Sequence, residues 1–121
     1  MKDDAPRRGK TTIAPDVLVT IARLSTLSVP GVARMGQAPV AVDRLFQRAP
    51  NEGVRIEVRQ MAVMVDLYVV IQHDANVRDV CREIQATVAR AIQEMVGMHV
   101  LAVNVHVEDV SFADAPGPHS S

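Results

Sequence analysis

The sequence predicts an α+β fold: a small mixed sheet of about four strands with two main helices packed on one face. Apolar and charged residues alternate from Val54 to Arg59, which is typical of a half-buried strand. The run from Ala62 to Ile71 is apolar except for Asp66, as in a central strand. Over 76–97 apolar residues recur at helical spacing. The predicted order is helix, strand, short helical turn, strand, strand, helix, strand.

The first third of the chain predicts a helix over 15–28 and a short strand over 31–35. Pro15 suits the first turn, and Pro30-Gly31 ends the helix. The apolar residues at helical spacing are Val17, Ile21, Leu24 and Leu27, with Leu18 and Ala22 beside them. Further along, Val42, Leu45 and Phe46 could form one or two helical turns.

The second half predicts a hairpin, a long helix and a last strand. Gln60-Met61 would be the tight turn between strands 54–59 and 62–71. Asn76 can cap the long helix and Gly97 can end it. Its apolar stripe is Val77, Val80, Cys81, Ile84, Val88, Ala91, Ile92 and Met95. In the last strand, 99–108, one side carries Leu101, Val103, Val105 and Val107, and the other carries Val100, Ala102, Asn104, His106 and Glu108.

The 121 residues suit a single domain, which we place at 13–112. Residues 1–12 are polar and without periodicity, and residues 113–121 are rich in Pro, Gly and Ser. Both ends are therefore predicted to be disordered tails.

Composition and charge argue against several classes of function. The net charge is −1, so no overall field draws the protein to nucleic acid or acidic lipid. Aromatic residues are 2% of the chain, which leaves few rings for bases to stack on. No apolar run approaches the ~18 residues of a membrane span, and no signal peptide is recognisable. With Cys81 as the single cysteine, we expect a cytoplasmic protein that does not insert into a membrane.

No catalytic, cofactor or metal site is predicted. The histidines, His73, His99, His106 and His119, lack the short spacing of a zinc half-site. Cys81 lies on an apolar stripe, where a buried small side chain is the better interpretation than a nucleophile. Asp66 is a carboxylate within an apolar strand, and a cross-strand ion pair with Arg55 or Arg59 is favoured over an acid–base role.

One face of the predicted sheet is too polar for a core and too apolar for plain solvent. On it we expect Arg55, Glu57, Arg59, Asp66, Tyr68, Asn104 and His106, mixed with Met64, Val70, Val100 and Ala102. A mixed face of this kind is typical of a contact with a second subunit or a partner. The alternative is an ordinary solvated sheet face.

Four segments together resemble a known family. They are Ile21-Ala22 through Val29-Pro-Gly-Val32, the hairpin Gly53–Val58 and Val63–Val70, the helix Asn76–Gly97, and the strand Val103–Val110. In order and spacing they resemble the bacterial alkaline shock proteins, also called envelope stress response or general stress proteins. The chain departs from the family pattern at Gln72-His73-Asp74, where many relatives place an aromatic residue and a glycine.

The resemblance implies a small α+β domain with no known catalytic centre, which self-associates in the cytoplasm and serves cell-envelope homeostasis. It also leaves room for a membrane-anchored partner that holds the protein at the inner face of the membrane. We therefore expect a non-enzymatic stress protein that acts by self-association and docking. The alternatives are an RNA-binding α+β module, which the charge and composition disfavour, and a small-ligand enzyme using Asp66 and His106.

Overall fold

The computed structural model describes residues 12–37 and 53–112, which contain two helices and four strands. In chain order these are α1 (Pro15–Leu27), β1 (Val32–Met35), β2 (Val54–Arg59), β3 (Ala62–Gln72), α2 (Val77–Val96) and β4 (His99–Ser111). The predicted α+β class is confirmed, with a mixed sheet and both helices on one face.

The predicted short helical turn and the two predicted tails lie almost entirely in parts of the chain other than 12–37 and 53–112. The helical turn at Val42, Leu45 and Phe46 lies outside the described residues. So do the predicted tails, except for Thr12 at the end of the first.

β3 is the central strand of the sheet. β4 runs parallel to it along one edge, from the pair Ala62–His99 to the pair Gln72–Ser111. On the other edge β2 and β1 lie in line, both antiparallel to β3: β2 pairs with residues 62–67 and β1 with 69–71. They meet opposite Tyr68, whose carbonyl accepts from Gly36 N at 2.6 Å and whose N–H donates to Gly53 O at 2.8 Å.

The core lies between β3 and the two helices. Alternate residues of β3 are fully buried on the helix side: Val63, Val65, Leu67, Val69 and Ile71. α2 contributes Val80, Ile84, Val88 and Ile92, and α1 contributes Leu18 and Ala22. Burying an aliphatic side chain of this size stabilises the fold by about 1.5–3 kcal/mol before entropy is counted.

α2 follows the predicted pattern closely. Its first turn is capped by Asn76, whose Oδ1 accepts from Asp79 N at 3.0 Å, and Gly97 ends it with a φ of 81°. The middle of the predicted stripe is buried, but Val77 and Met95 at its ends are exposed. These two side chains lie in the first and last turns of α2, so the buried stripe covers the middle turns of the helix.

The predicted apolar stripe of α1 is correct only in part: Leu18 and Ala22, predicted beside it, are buried, and Ile21 packs against the core. The buried residues are Leu18, Ala22 and Thr26, while Val17 and Leu24 are exposed. Because the side chains of Ala22 and Thr26 are small, α1 can pack closely against the rest of the core at these two positions. Thr26 is tolerated there because its hydroxyl donates to the Ala22 carbonyl at 2.7 Å, which satisfies a buried polar group.

β4 also departs from its prediction, because the ladder with β3 skips Leu101 and Glu108. Each skip inserts a residue without a partner and shifts the alternation of faces by one. Val100 therefore pairs with Val63 and packs against the core, not on the opposite face as predicted, and Leu101 is 50% exposed. β4 also continues to Ser111, three residues beyond its predicted end.

Candidate interaction surface

The face of the sheet turned away from the helices, here called the outer face, carries the predicted candidate residues. β2 places Arg55, Glu57 and Arg59 on it, opposite Asp66, Met64 and Ala62 of β3. β4 adds Asn104, opposite Asp66, and His106, opposite Tyr68. All seven candidates thus lie on one face of the sheet.

Asp66 is the centre of a hydrogen-bonded cluster on the outer face. Its Oδ1 accepts from Asn104 Nδ2 at 3.1 Å and lies 3.2 Å from His106 Nε2. The His106 ring stacks on Tyr68, with ring centroids 4.4 Å apart and an interplanar angle of 13°. Asp66 is held by two neighbours on β4, which explains how a carboxylate is accommodated in the central strand.

The partner predicted for Asp66 was wrong. Arg59 pairs with Glu57 on its own strand, at 2.9 Å between Nη2 and Oε2. Both side chains are well exposed, so this ion pair contributes little to stability. Asp66 instead finds its partners on the parallel neighbour β4. The sequence alone did not say on which side of β3 the partners would be.

Val70 was predicted on the outer face, and its position there holds, but it is buried at 4% exposure. Glu108 of β4 lies in the same region of the outer face. Its Oε1 accepts from Gln37 N at 3.1 Å, so the side chain reaches across β3 to the end of β1. A Cβ on Gly36 would collide with the same carboxylate, so glycine at this position leaves room for it.

An open depression lies beside this crossing. Its lining includes Arg34, Val70, Glu108 and Asp109, together with Gln37. Arg34 and Asp109 flank Val70 in the ladder, one on β1 and the other on β4. Sequence reasoning missed Arg34 and Asp109 as outer-face residues, because their places depend on irregular pairing in β1 and β4 that no residue pattern announces.

Charge is divided unevenly across the outer face. The β1–β2 side carries Arg34, Arg55 and Arg59 against Glu57. On the β4 side Asp109 lies near the C-terminal end of the strand, whereas the carboxylate of Glu108 reaches over β3 to the β1 side. The β1–β2 edge therefore carries three arginines against two carboxylates, and β4 carries Asp109 and no lysine or arginine.

The described residues contain no cluster of three or more His, Cys, Asp or Glu side chains able to hold a metal ion. Asp66 and His106 lie together, but they are only two potential ligands. Cys81 is half-buried on α2, and burial raises the pKa of its thiol. A raised pKa lowers the thiolate fraction at neutral pH, which is the opposite of what a nucleophilic cysteine needs.

Sequence comparison places the chain in a family. A model of the alkaline shock protein 23 family, described as having a cell envelope-related function, matches residues 3–112. The chain belongs to this family. The resemblance found in the sequence is thereby confirmed, and the coarse functional assignment is cell-envelope related.

Relatives within the alkaline shock protein 23 family cover most of the chain. The uncharacterized protein Spy1535 of Streptococcus pyogenes serotype M6 is 32% identical over 111 residues, covering 91% of this chain and 85% of its own length. The uncharacterized protein YqhY of Bacillus subtilis is 26% identical over 106 residues, covering 86% and 78%. Neither name carries a biochemical activity.

Two solved structures share the fold. A zinc form of MamM CTD has a TM-score of 0.57 at 14% identity, covering 85% of this chain and 93% of that one. A variant of MamM CTD has a TM-score of 0.58, also at 14% identity, covering 88% and 94%. At this identity the likeness concerns the fold alone. Neither described helix is long and apolar enough to cross a membrane.

Proposed function

We propose that this protein is a non-enzymatic, cytoplasmic component of cell-envelope homeostasis under stress, which acts by self-association and by docking to a partner protein. A membrane-anchored partner would hold it at the inner face of the membrane. The family description supports the link to the envelope. The observation that carries the mechanism is the outer face, which joins a hydrogen-bonded polar cluster to apolar side chains on one surface.

The chemistry of the outer face favours binding over catalysis. The Oδ1 atom of Asp66 is already engaged by two neighbours, and its side chain is one-third exposed on an open sheet. General acid–base catalysis asks for a carboxyl group in a pocket that positions a substrate within hydrogen-bond reach. A hydrogen-bonded, stacked group with one fixed geometry is instead suited to specificity at a contact.

The size of the outer face sets the expected strength of binding. β3 has 11 residues, so at about 3.3 Å per residue and 4.8 Å between strands, three strand widths present about 500 Å². Two such faces would bury about 1,000 Å² in total, at the lower bound of a specific interface. Self-association should therefore be weak and depend on concentration.

A charge-reversed variant tests the outer face. We expect Arg55→Glu combined with Arg59→Glu to shift the protein to the monomer at concentrations where the wild type associates, measured by size-exclusion chromatography with light scattering. Arg78→Glu combined with Arg90→Glu is the matched control, because both are exposed arginines of α2 and carry the same charge change. A wild type that stays monomeric at every concentration would refute self-association.

The exposed side of α1 is a second surface that could mediate self-association, and its effect is measured separately from that of the outer face. α1 exposes Val17, Leu24 and Leu27, and Ile13 just before the helix is exposed as well. An exposed apolar stripe of this kind can also mediate association. Leu24→Lys is therefore measured alongside. If it dissociates the protein while the Arg55/Arg59 variant does not, the contact lies on α1 and the proposal for the outer face is wrong.

Docking is tested in the native cell with membranes retained. The tagged wild type is expected to divide between cytosol and membrane fractions, and the Arg55/Arg59 variant is expected to leave the membrane fraction. The Arg78/Arg90 variant should behave like the wild type. Equal membrane fractions for all three proteins would show that the outer face does not dock.

A further inference from the structure

The division of charge across the outer face constrains how two copies can meet. On one lateral edge Arg34, Arg55 and Arg59 outnumber the two carboxylates there, those of Glu57 and of Glu108 reaching over from β4, and the opposite edge carries Asp109 and no basic residue of β4. Two flat sheets that pack face to face keep their strands roughly aligned, at a separation of about 10 Å. The two copies can then be related by a two-fold axis along the strands or by one across them.

The two symmetries bring different edges together. An axis across the strands places the β1–β2 edge of one copy over the same edge of the other, so arginines face arginines. An axis along the strands places β4 of one copy over β1 and β2 of the other. Each residue then keeps its position along the strand direction. Only the second arrangement sets the basic edge against the acidic edge, and like-charge contacts oppose the first.

We propose that a second copy of this chain occupies the outer face, related by a two-fold axis parallel to the strands, with Arg34 of each copy paired with Asp109 of the other. This inference rests on the proposed function, and it names the partner and the arrangement. Arg34 and Asp109 flank Val70 at the same height in the sheet, so the symmetry superposes them. The long arginine side chain can span the gap between the sheets.

The centre of the face is compatible with this axis. β3 lies on the axis, so each of its outer-face residues meets its own counterpart. Met64 and Tyr68 then form a contact that is apolar on both sides. Asp66 also meets its counterpart, but its carboxylate is held by Asn104 and His106 of its own copy, which moderates the repulsion.

Because the proposed contact occurs twice in each dimer, a charge swap gives a sharp test. In a dimer of Arg34→Glu both contacts become acid against acid, and in a dimer of Asp109→Arg both become base against base. Each single variant should lose about tenfold or more in dimer affinity. Mixed one to one, the two variants regain both contacts, because the introduced Glu faces the introduced Arg and the native Arg34 faces the native Asp109. The mixture should sediment as a dimer with an affinity near that of the wild type.

A single chain carrying both Arg34→Glu and Asp109→Arg should also dimerise, because each introduced Glu faces an introduced Arg of the other copy. This result would show that neither change prevents folding. Arg90→Glu and Glu94→Arg on α2, alone and mixed, are the matched controls and should all associate like the wild type. Sedimentation velocity at several concentrations measures every sample, with circular dichroism as the check on folding.

The outcomes separate this inference from the proposed function. If the wild type dimerises and needs Arg55 and Arg59, but mixing fails to restore the Arg34→Glu and Asp109→Arg variants, the outer face stands and this arrangement is wrong. If neither single variant weakens the dimer, the arrangement is likewise wrong. If the wild type never dimerises, both proposals fall.

Discussion

At the scale of single residues, backbone conformation decides several positions where the residue type alone is ambiguous. Gly31 has a φ of 101°, and a Cβ there would lie 2.6 Å from Val80 Cγ2. The sequence marked Pro30-Gly31 only as the end of a helix. The structure adds that α2 packs against this turn, so the glycine serves a long-range contact as well as a local one.

Gln60 offers a test of local strain. It is the first residue of the β2–β3 turn and has a φ of 53°, a value that favours glycine. We expect Gln60→Gly to raise the free energy of unfolding by about 0.5–1 kcal/mol, because the strain removed exceeds the chain entropy that glycine adds. Urea denaturation measures it, and Met61→Gly at the exposed neighbour is the control. A loss of stability at position 60 would show that the turn is unstrained.

Residue types predicted the outer face better than they predicted its pairings. The alternation of Arg55, Glu57 and Arg59 with apolar residues placed all three correctly. The partners of Asp66 could not be predicted, because they depend on which strands flank β3, and strand order is set by the whole fold. A local pattern shows which face a side chain takes but not its neighbour on the next strand.

At the scale of elements, α2 was predictable and α1 was only partly so. α2 combines a stripe, a capping residue and a terminal glycine, and these three signals agree. In α1 several large aliphatic residues surround the helix, so more than one face could have been buried. The buried face is the one with Ala22 and Thr26, since close packing selected small residues there over larger apolar ones.

The α2 cap can be tested directly. Asn76→Ala removes the acceptor for Asp79 N, and we expect the free energy of unfolding to fall by about 1 kcal/mol. Asn76→Asp keeps an acceptor at the helix N-terminus and should retain most of that stability. Thermal unfolding compares the variants. Equal losses for the two substitutions would mean that the amide group itself, and not the acceptor, matters at this position.

At the scale of the whole molecule, β3 has paired strands on both sides. The far edge of β4, by contrast, has no strand beside it among the described residues. The Val103 carbonyl points to that edge, where it accepts from Gln85 Nε2 of α2 at 3.1 Å. In a regular strand the N–H and C=O groups of one residue point the same way and alternate along the chain. The N–H groups of Val105 and Val107 therefore face outward, and that of His106 faces β3.

Hydrogen exchange tests this arrangement. The proposed face-to-face dimer leaves the edge of β4 unpaired, so we expect the amides of Val105 and Val107 to exchange much faster than that of His106. Two-dimensional NMR resolves the individual amides, and Val65 in the centre of β3 supplies the slow reference. Protection of Val105 equal to that of His106 would indicate that copies join edge to edge instead.

The junction of β1 and β2 has a consequence for how the sheet tolerates change. β1 ends and β2 begins opposite Tyr68. A Cβ on Gly53 would lie 2.8 Å from the Gly36 carbonyl. The chain thus leaves the sheet and returns to it at almost the same point. A side chain at position 53 would meet the carbonyls of both Gly36 and Tyr68, so it would disturb β1, β2 and β3 at once. The sheet can therefore accept substitutions along β2 more readily than at the point where the chain re-enters it.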